Sequence, residues 1–328
     1  MKIDLVYLWV DGADENWRAK KNAELKKVGK LPAEAVGEIR SFNNDELKFS
    51  LRSVEKFAPW VNHIFIITDN QIPKWLDTGN AKITVIDLTQ IMSQDALPCF
   101  NSNVIESFIP NITNLSEHFI YSNDDMLFMA KTDADYFFTE NGTPIIRVDN
   151  RKKIQRKMKN LLPVGQKFDT MWKNATFYDS ANLNSIKLVY EIVGNYNYCW
   201  QSAHNIDPYR KSDMINILKF PLVKEKIEIM RKNHFRDKSD LQRILFHKFG
   251  VAKYGYKMVG NDFLTKMSQY LTLRFGEQPT YTRNIKKKMR HIFARKLMCI
   301  DDPVDMKIRK SNYDYLSKKF PKKSEFEK

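Results

Sequence analysis

Three apolar, β-favouring segments of this sequence end in acidic residues, and this shared ending most constrains how the chain can fold. The endings, in chain order, are Asp11, Asp69 and the run Asn123-Asp124-Asp125. A further β-type segment covers residues 83–88, and a helix-like segment follows the first strand. Strands and helices in this order indicate a mostly parallel α/β sheet. Because ligands of such sheets bind beyond the carboxyl ends of the strands, the acidic endings predict a site along one edge.

The helix-like segment covers residues 45–58 and has one apolar face, made of Leu47, Leu51, Val54 and Ala58. Asn43 or Asn44 is a candidate cap for its start, and Pro59 stops it. Two later helices are expected after similar caps, which are Asn101 or Ser102 and Ser239 or Asp240. The predicted fold class is therefore α/β, a mostly parallel Rossmann-like sheet with helical additions.

Asp124 and Asp125 are the strongest candidates for chemistry. Adjacent carboxylates repel each other unless a cation or a proton relieves them. Mg²⁺ prefers oxygen ligands and often bridges carboxylates to substrate phosphates. The alternative interpretation is a simple turn or helix cap, in which Asn and Asp side chains bond to nearby backbone.

The chain carries a net charge of +15, which favours anionic partners such as nucleic acid, a membrane surface or phosphorylated substrates. Residues 282–297 form a basic amphipathic pattern, suited to an anionic membrane surface or to a core-packed helix with a basic outer face. The amino terminus does not resemble a signal peptide, because Asp4 interrupts its apolar region. The three cysteines have no metal-ligand spacing and suggest a reducing compartment.

Four separate blocks of the sequence together resemble the Stealth family, a group of polysaccharide hexose-1-phosphate transferases related to the lysosomal-enzyme N-acetylglucosamine-1-phosphotransferase. The first block is DLVYLWVDGAD at 4–14, and the second extends over 40–128, from RSFNNDELKFSLRSVEKF to LSEHFIYSNDDMLF. SAHNIDPYRK and NHFRDKSD resemble the third, and KLMCIDDP with the terminal FPKKSEFE resembles the fourth. One block alone is weak evidence, whereas four in the family's order are specific.

The resemblance implies a glycosyltransferase-A-like fold in one catalytic unit with three parts. These are a nucleotide-sugar-binding core at 1–150, a mostly helical acceptor lobe at 151–295, and a C-terminal segment at 296–328 that returns to the active site.

The implied activity is transfer of hexose-1-phosphate, N-acetylhexosamine-1-phosphate by expectation, from a UDP-sugar such as UDP-GlcNAc to a hydroxyl of a glycan or phospho-glycan. The products are a phosphodiester-linked capsular polysaccharide or exopolysaccharide and UMP. The implied location is the cytoplasm, with peripheral association at the inner face of the bacterial membrane.

The resemblance also suggests roles for individual residues. Asp124, Asp125 and Asp302 are expected to hold Mg²⁺ (or Mn²⁺), with Asp125 also counted as catalytic. His204, on a loop before Pro208, is the candidate general base, since a loop histidine can exchange protons near neutral pH. Arg236 and Arg52 are candidate phosphate clamps. The remaining candidates for donor binding are Asp11, Asn44, Asn101 and Asn123. The family pattern usually has Asn where this chain has Asp301, which leaves the role of Asp301 open.

Other functions fit parts of the sequence. A conventional metal-dependent glycosyltransferase would use the same kind of site and release UDP. A nucleic-acid-binding protein fits the charge, but no recognition motif is visible and no nucleic acid is expected as a partner. A non-catalytic membrane-docked scaffold would leave the paired carboxylates without a purpose.

Overall fold

The computed structural model describes residues 1–37, 43–149, 173–198, 200–202, 206–260, 270–274, 296–301 and 306–328. Within these ranges the central element is a five-stranded sheet. Its strands in chain order are β1 (Ile3–Leu8), β2 (Ile64–Thr68), β3 (Ile83–Asp87), β4 (His118–Asn123) and β8 (Asp207–Arg210). The spatial order is β3-β2-β1-β4-β8. The first four strands are parallel and β8 is antiparallel, which confirms the predicted mostly parallel α/β sheet.

Two smaller sheets flank the central one. The first has the order β10-β11-β5, with β5 at Met126–Phe128, β10 at Tyr270–Arg274 and β11 at Leu297–Asp301. The second has the order β7-β6-β9, with β6 at Ile145–Asp149, β7 at Gln201–Ser202 and β9 at Lys257–Gly260. β5 follows β4 after a two-residue turn, so the first small sheet starts at the carboxyl edge of the central sheet.

Helices cover both faces of the central sheet. In chain order they are α1 (Glu15–Val28), α2 (Ala33–Val36), α3 (Glu46–Phe57), α4 (Ser102–Glu106), α5 (Phe177–Val193), α6 (Lys211–Leu218), α7 (Pro221–Met230), α8 (Ile244–Lys253) and α9 (Met306–Lys319). α3 packs its apolar face on one side of the sheet, where Leu47, Leu51 and Val54 join Leu5 and Ile66 in one buried cluster. α6, α7 and α8 contribute to the cluster on the other side, which confirms the predicted helical additions.

Part of the chain beyond residue 150 belongs to the central sheet. β8 pairs with β4, with Tyr121 opposite Asp207 and His118 opposite Arg210. The edge strand next to β4 therefore comes from the predicted acceptor lobe. This pairing connects that lobe directly to the central sheet. The division into parts at residues 150 and 295 stays a prediction.

Two predicted caps were wrong. α3 begins after Asp45, which adopts a left-handed conformation with φ of 63° and makes no side-chain cap bond. α8 begins at Ile244, several residues beyond the predicted Ser239 or Asp240. The Asp240 carboxylate is fully buried and accepts hydrogen bonds from Asn101, Asn233 and the Asp237 backbone, so it holds a loop together.

Candidate active site

The acidic strand endings lie at one edge of the central sheet. Leu8, the last residue of β1, pairs with Ile67 of β2 on one side and with Asn123 of β4 on the other. Because these three strands end level, the residues that follow them emerge side by side. The prediction of a polar carboxyl edge is confirmed.

The turn between β4 and β5 presents Asn123, Asp124 and Asp125, each partly exposed, between strands that are buried. Two serines of α3 hold the following strand. Ser50 Oγ donates to the Met126 carbonyl at 2.5 Å, and Ser53 Oγ accepts from the Phe128 N–H at 2.9 Å. The strand that follows the two-carboxylate turn is thus held by α3.

Asp11, which follows β1, is held in place by Gln71. The Asp11 N–H donates to Gln71 Oε1 at 2.8 Å, and Gln71 Nε2 donates back to the Asp11 carbonyl at 3.0 Å. Gln71 follows β2, so this reciprocal pair ties the ends of two neighbouring strands together. Lys20 of α1 forms an ion pair with Asp69, the acidic residue that ends β2.

Arg236 lies against the start of α4, with Nη2 donating to Ser102 Oγ at 2.8 Å. Burial lowers the pKa of Arg236, and the nearby carboxylates of Glu106 and Asp240 oppose that shift. An arginine remains protonated in proteins, so Arg236 supplies a fixed positive charge.

An ion network that was not predicted from the sequence includes Tyr121 of β4. Arg243 lies between two carboxylates, with Nη1 at 3.2 Å from Glu106 Oε1 and Nη2 at 3.0 Å from Asp207 Oδ2. Its guanidinium carbon is 4.6 Å from the ring centre of Tyr121, whose hydroxyl donates to Glu106 at 3.1 Å. Burial raises the pKa of Asp207 to about 6, although the charge of Arg243 opposes the shift.

Tyr121, one member of this network, lies two residues before Asn123 on β4. The network therefore contacts the strand that ends in the two-carboxylate turn. A usable sequence signal existed at Glu106, a carboxylate inside the apolar stretch Val104 to Ile109. A charge in such a stretch needs a buried partner. The partner, Arg243, is 137 residues away, and sequence spacing does not identify it.

Two predicted donor-binding residues have structural partners instead. Arg52 makes a paired contact with Glu327, from Nε to Oε1 at 2.7 Å and from Nη2 to Oε2 at 2.6 Å, and its Nη1 donates to the Phe320 carbonyl. Asn101 is fully buried, caps α4 and donates to the Phe235 carbonyl and to Asp240. These contacts hold both side chains in the structure, and a role of Arg52 and Asn101 in donor binding stays a prediction. Asn44 is half-buried, and its amide donates to the Arg309 carbonyl of α9 at 3.1 Å.

Several predictions concern residues outside the described ranges, namely His204, Asp302 and residues 282–295 of the proposed amphipathic helix. Leu297, predicted as the last residue of that helix, instead begins β11. β11 runs beside the two-carboxylate turn, since the Ile300 N–H donates to the Asp125 carbonyl at 2.9 Å.

The ability of the site to bind a metal depends on its oxygen ligands. The described residues hold no cluster of three or more His, Cys, Asp or Glu side chains able to bind an ion. They do supply two adjacent, partly exposed carboxylates, and Mg²⁺ is commonly bound through one or two carboxylates plus substrate phosphates. The residues present therefore fit a magnesium ion that is shared with a phosphorylated substrate. None of the helices in the described ranges is long and apolar enough to span a bilayer.

The sequence matches two protein-family models, Stealth protein conserved region 1 over residues 1–29 and Stealth protein conserved region 2 over residues 40–146. It is 33% identical to the capsular polysaccharide phosphotransferase fcs1 of Haemophilus influenzae, an alignment that covers 92% of this chain and 78% of that protein. It is 30% identical to the exopolysaccharide phosphotransferase cps2G of Lactiplantibacillus plantarum, over 99% of this chain and 96% of that protein.

Among solved structures, the chain is similar to the galactosyltransferase LgtC, with 9% identity and a TM-score of 0.44. That alignment covers 97% of this chain and 95% of the other.

Proposed function

This chain belongs to the Stealth family, and from that premise we propose that it transfers hexose-1-phosphate from a UDP-sugar to a glycan hydroxyl. The chain is a sugar-phosphate transferase, in line with relatives that are named polysaccharide phosphotransferases. We propose N-acetylhexosamine-1-phosphate as the transferred group and a capsular or cell-surface polysaccharide as the product.

One bond forms and one bond breaks in this reaction. The acceptor oxygen bonds to the phosphorus attached to the sugar, and the bond from that phosphorus to the oxygen bridging it to UMP breaks. The acceptor proton passes to a base, and UMP leaves with the bridging oxygen. The protein must therefore stabilise charge on a pyrophosphate and position an acceptor hydroxyl.

The proposed metal ligands are Asp124 and Asp125, together with Asp302. Mg²⁺ (or Mn²⁺), when bound, would neutralise charge on the donor phosphates. The supporting observation is that the two carboxylates are adjacent and partly exposed at the carboxyl edge of the sheet, and that α3 holds the strand that follows them.

The proposed phosphate clamp is Arg236. Its partly buried guanidinium carries a permanent positive charge, and one of its N–H groups donates a hydrogen bond to Ser102. We propose His204 as the general base toward the acceptor hydroxyl, because it precedes β8 by three residues in the chain and β8 pairs with β4. Asp11, Asn44 and Asn123 are the proposed donor-binding residues.

The observation that carries this proposal is the combination of the Asn123-Asp124-Asp125 turn with identity of 30% or more to phosphotransferases over nearly the whole chain. The proposed place of action is the cytoplasmic face of the membrane. Its support is the net charge of +15 and the basic pattern of residues 282–297.

Product analysis tests the proposal. The protein is incubated with UDP-N-acetylglucosamine, Mg²⁺ and a short phospho-glycan acceptor, and UMP is separated from UDP by chromatography. We expect acceptor-dependent UMP. Release of UDP would contradict the proposal and identify a conventional glycosyltransferase. If neither UMP nor UDP is released when the acceptor is omitted, simple hydrolysis of the donor is excluded.

A further inference from the structure

A buried cysteine of β11 contacts one of the two carboxylates in the turn. Cys299 is 3% exposed, and its Sγ donates to Asp125 Oδ2 at 3.2 Å. The neighbouring residue binds the same aspartate through the backbone, since the Ile300 N–H donates to the Asp125 carbonyl at 2.9 Å. Asp125 is thus held by β11 at both its side chain and its main chain.

We propose that Cys299 is a positioning residue that sets the orientation of the Asp125 carboxylate for metal and donor binding. This inference rests on the proposed function, in which Asp125 is a metal ligand. Ligating carboxylates commonly depend on a hydrogen bond from a second residue, which fixes their orientation. Cys299 supplies that bond from a position 174 residues further along the chain.

The chemistry of the thiol suits this role. An S–H group is a weak hydrogen-bond donor. It fixes one carboxylate oxygen while withdrawing little negative charge from it, so Asp125 keeps its strength as a ligand for a hard cation. A lysine or arginine at the same place would neutralise the charge that the metal needs.

The strand that carries the thiol is itself firmly held. Cys299 lies opposite Met126 in an antiparallel pairing of β11 with β5. Met298 and Ile300 are buried in one cluster with Leu316 and Phe320, which belong to α9 and the residue that follows it. The backbone of β11 is therefore held by the C-terminal segment on one face, while Cys299 packs with Met126 in the core cluster on the other face.

The affinity for Mn²⁺ in the absence of substrates, measured by isothermal titration calorimetry, tests the proposal without relying on turnover. Three variants are compared with the wild type. Cys299→Val keeps an apolar, β-branched shape but removes the donor, and Cys299→Ser keeps a donor. Cys99→Val is the matched control, because Cys99 is also 3% exposed and its Sγ donates to the Asn101 carbonyl, away from Asp125.

We expect Cys299→Val to weaken Mn²⁺ binding by about 10- to 100-fold, the usual effect of removing a residue that orients a metal ligand. Cys299→Ser should stay within about threefold of the wild type, and Cys99→Val should be unchanged. The kcat of Cys299→Val should also be lower than that of the wild type, and the kcat of Cys299→Ser should be close to the wild-type value.

Equal Mn²⁺ affinity in Cys299→Val and the wild type would overturn the proposal, as would a wild type that does not bind Mn²⁺. If Cys299→Val does not fold, Cys299→Ser decides, because loss of affinity in this folded, donor-bearing variant contradicts the orienting bond. The proposed function can fail separately. A wild type that releases UDP would refute phosphotransfer, while the Mn²⁺ titration would still report on Cys299.

Discussion

At the scale of single residues, the site contains two partly exposed carboxylates and, nearby, a group of buried charged side chains that pair with one another. Asp124 and Asp125 are partly exposed, whereas Glu106 and Asp207 have side chains only 6% and 9% exposed. The buried carboxylates share the guanidinium of Arg243, and the Asp125 carboxylate accepts a hydrogen bond from Cys299. The buried carboxylates therefore have a structural role, and the role proposed for Asp124 and Asp125 is chemical.

Replacing Asp125 by Asn tests the chemical role. The substitution keeps size and hydrogen bonding but removes the charge, so we expect kcat to fall by about 100-fold or more, equivalent to about 3 kcal/mol of transition-state stabilisation. Asp133→Asn is the matched control, because Asp133 is 59% exposed and pairs only with Lys131 at 3.6 Å. Equal initial rates for the two variants in the UMP assay would contradict the assignment.

Replacing Arg243 by Met tests the structural role. The change leaves two buried carboxylates without their cation, so we expect the free energy of unfolding at pH 7 to fall by about 3 kcal/mol. The folded-state pKa of Asp207 is raised to about 6, above the ordinary value of 3.8. On acidification the folded protein therefore takes up this proton before the unfolded chain does.

The penalty of Arg243→Met should consequently be largest above pH 6 and smaller at pH 5, where Asp207 is neutral in the folded state. Denaturant unfolding of both proteins at pH 7 and pH 5 measures the difference. An equal penalty at both pH values would show that the buried charge of Asp207 is not its source.

At the scale of elements, the site depends on a C-terminal segment that returns across the whole chain. α9 contacts α3 through Tyr313 and Phe49, whose ring centres are 5.5 Å apart. After α9 the tail packs Phe326, which is 2% exposed, into the core cluster beside β2. The Arg52–Glu327 pair links this tail to α3, so a residue predicted as a phosphate clamp also anchors the C-terminal segment.

Removing the Arg52–Glu327 contact should destabilise the protein. In Arg52→Leu the Glu327 side chain, 3% exposed, loses its cation, and we expect about 3 kcal/mol lower free energy of unfolding. Lys82→Ala is the control, because the Lys82–Glu325 pair spans 3.5 Å with both side chains more than 40% exposed and should contribute less than about 1 kcal/mol. Urea unfolding that shows the same small loss in both variants would contradict the anchoring role.

The structure contains the elements predicted from local sequence pattern, and their boundaries differ from the prediction by a few residues. The first four strands and α3 follow from apolar runs, polar endings and Pro59, which are all short-range signals. The pairing of β5 with β11 and the contact of Cys299 with Asp125 were not predictable, because they join residues about 170 positions apart. The contacts of Arg52 with Glu327 and of Asn101 with Asp240 were not predictable for the same reason, since the partners are distant in sequence.

At the scale of the whole molecule, the sheet and the charge suggest how the enzyme meets its substrates. The order β3-β2-β1-β4-β8 places the Asn123-Asp124-Asp125 turn next to the end of β1, with β8 from the later part of the chain on its other side. Asn123 ends β4, Asp11 follows β1, and β8, which pairs with β4, begins three residues after His204 in the sequence. The net charge of +15 favours anionic surfaces as well as anionic substrates.

Vesicle sedimentation tests the proposed membrane association. We expect the protein to sediment with vesicles containing anionic lipid and to remain in the supernatant with neutral ones. Binding should weaken as salt rises from about 0.1 M to 1 M, because the Debye length falls from about 10 Å to 3 Å. Equal recovery in the supernatant with both kinds of vesicle would contradict peripheral association.

The central claim is that the phosphate moves with the sugar. The most direct measurement uses UDP-N-acetylglucosamine labelled with ³²P at the sugar-attached phosphorus, together with Mg²⁺ and the glycan acceptor. We predict that the label appears in the glycan, in a linkage stable to phosphatase, while the released UMP is unlabelled. Label recovered in UDP, with an unlabelled glycan that has gained a sugar, would contradict phosphotransfer.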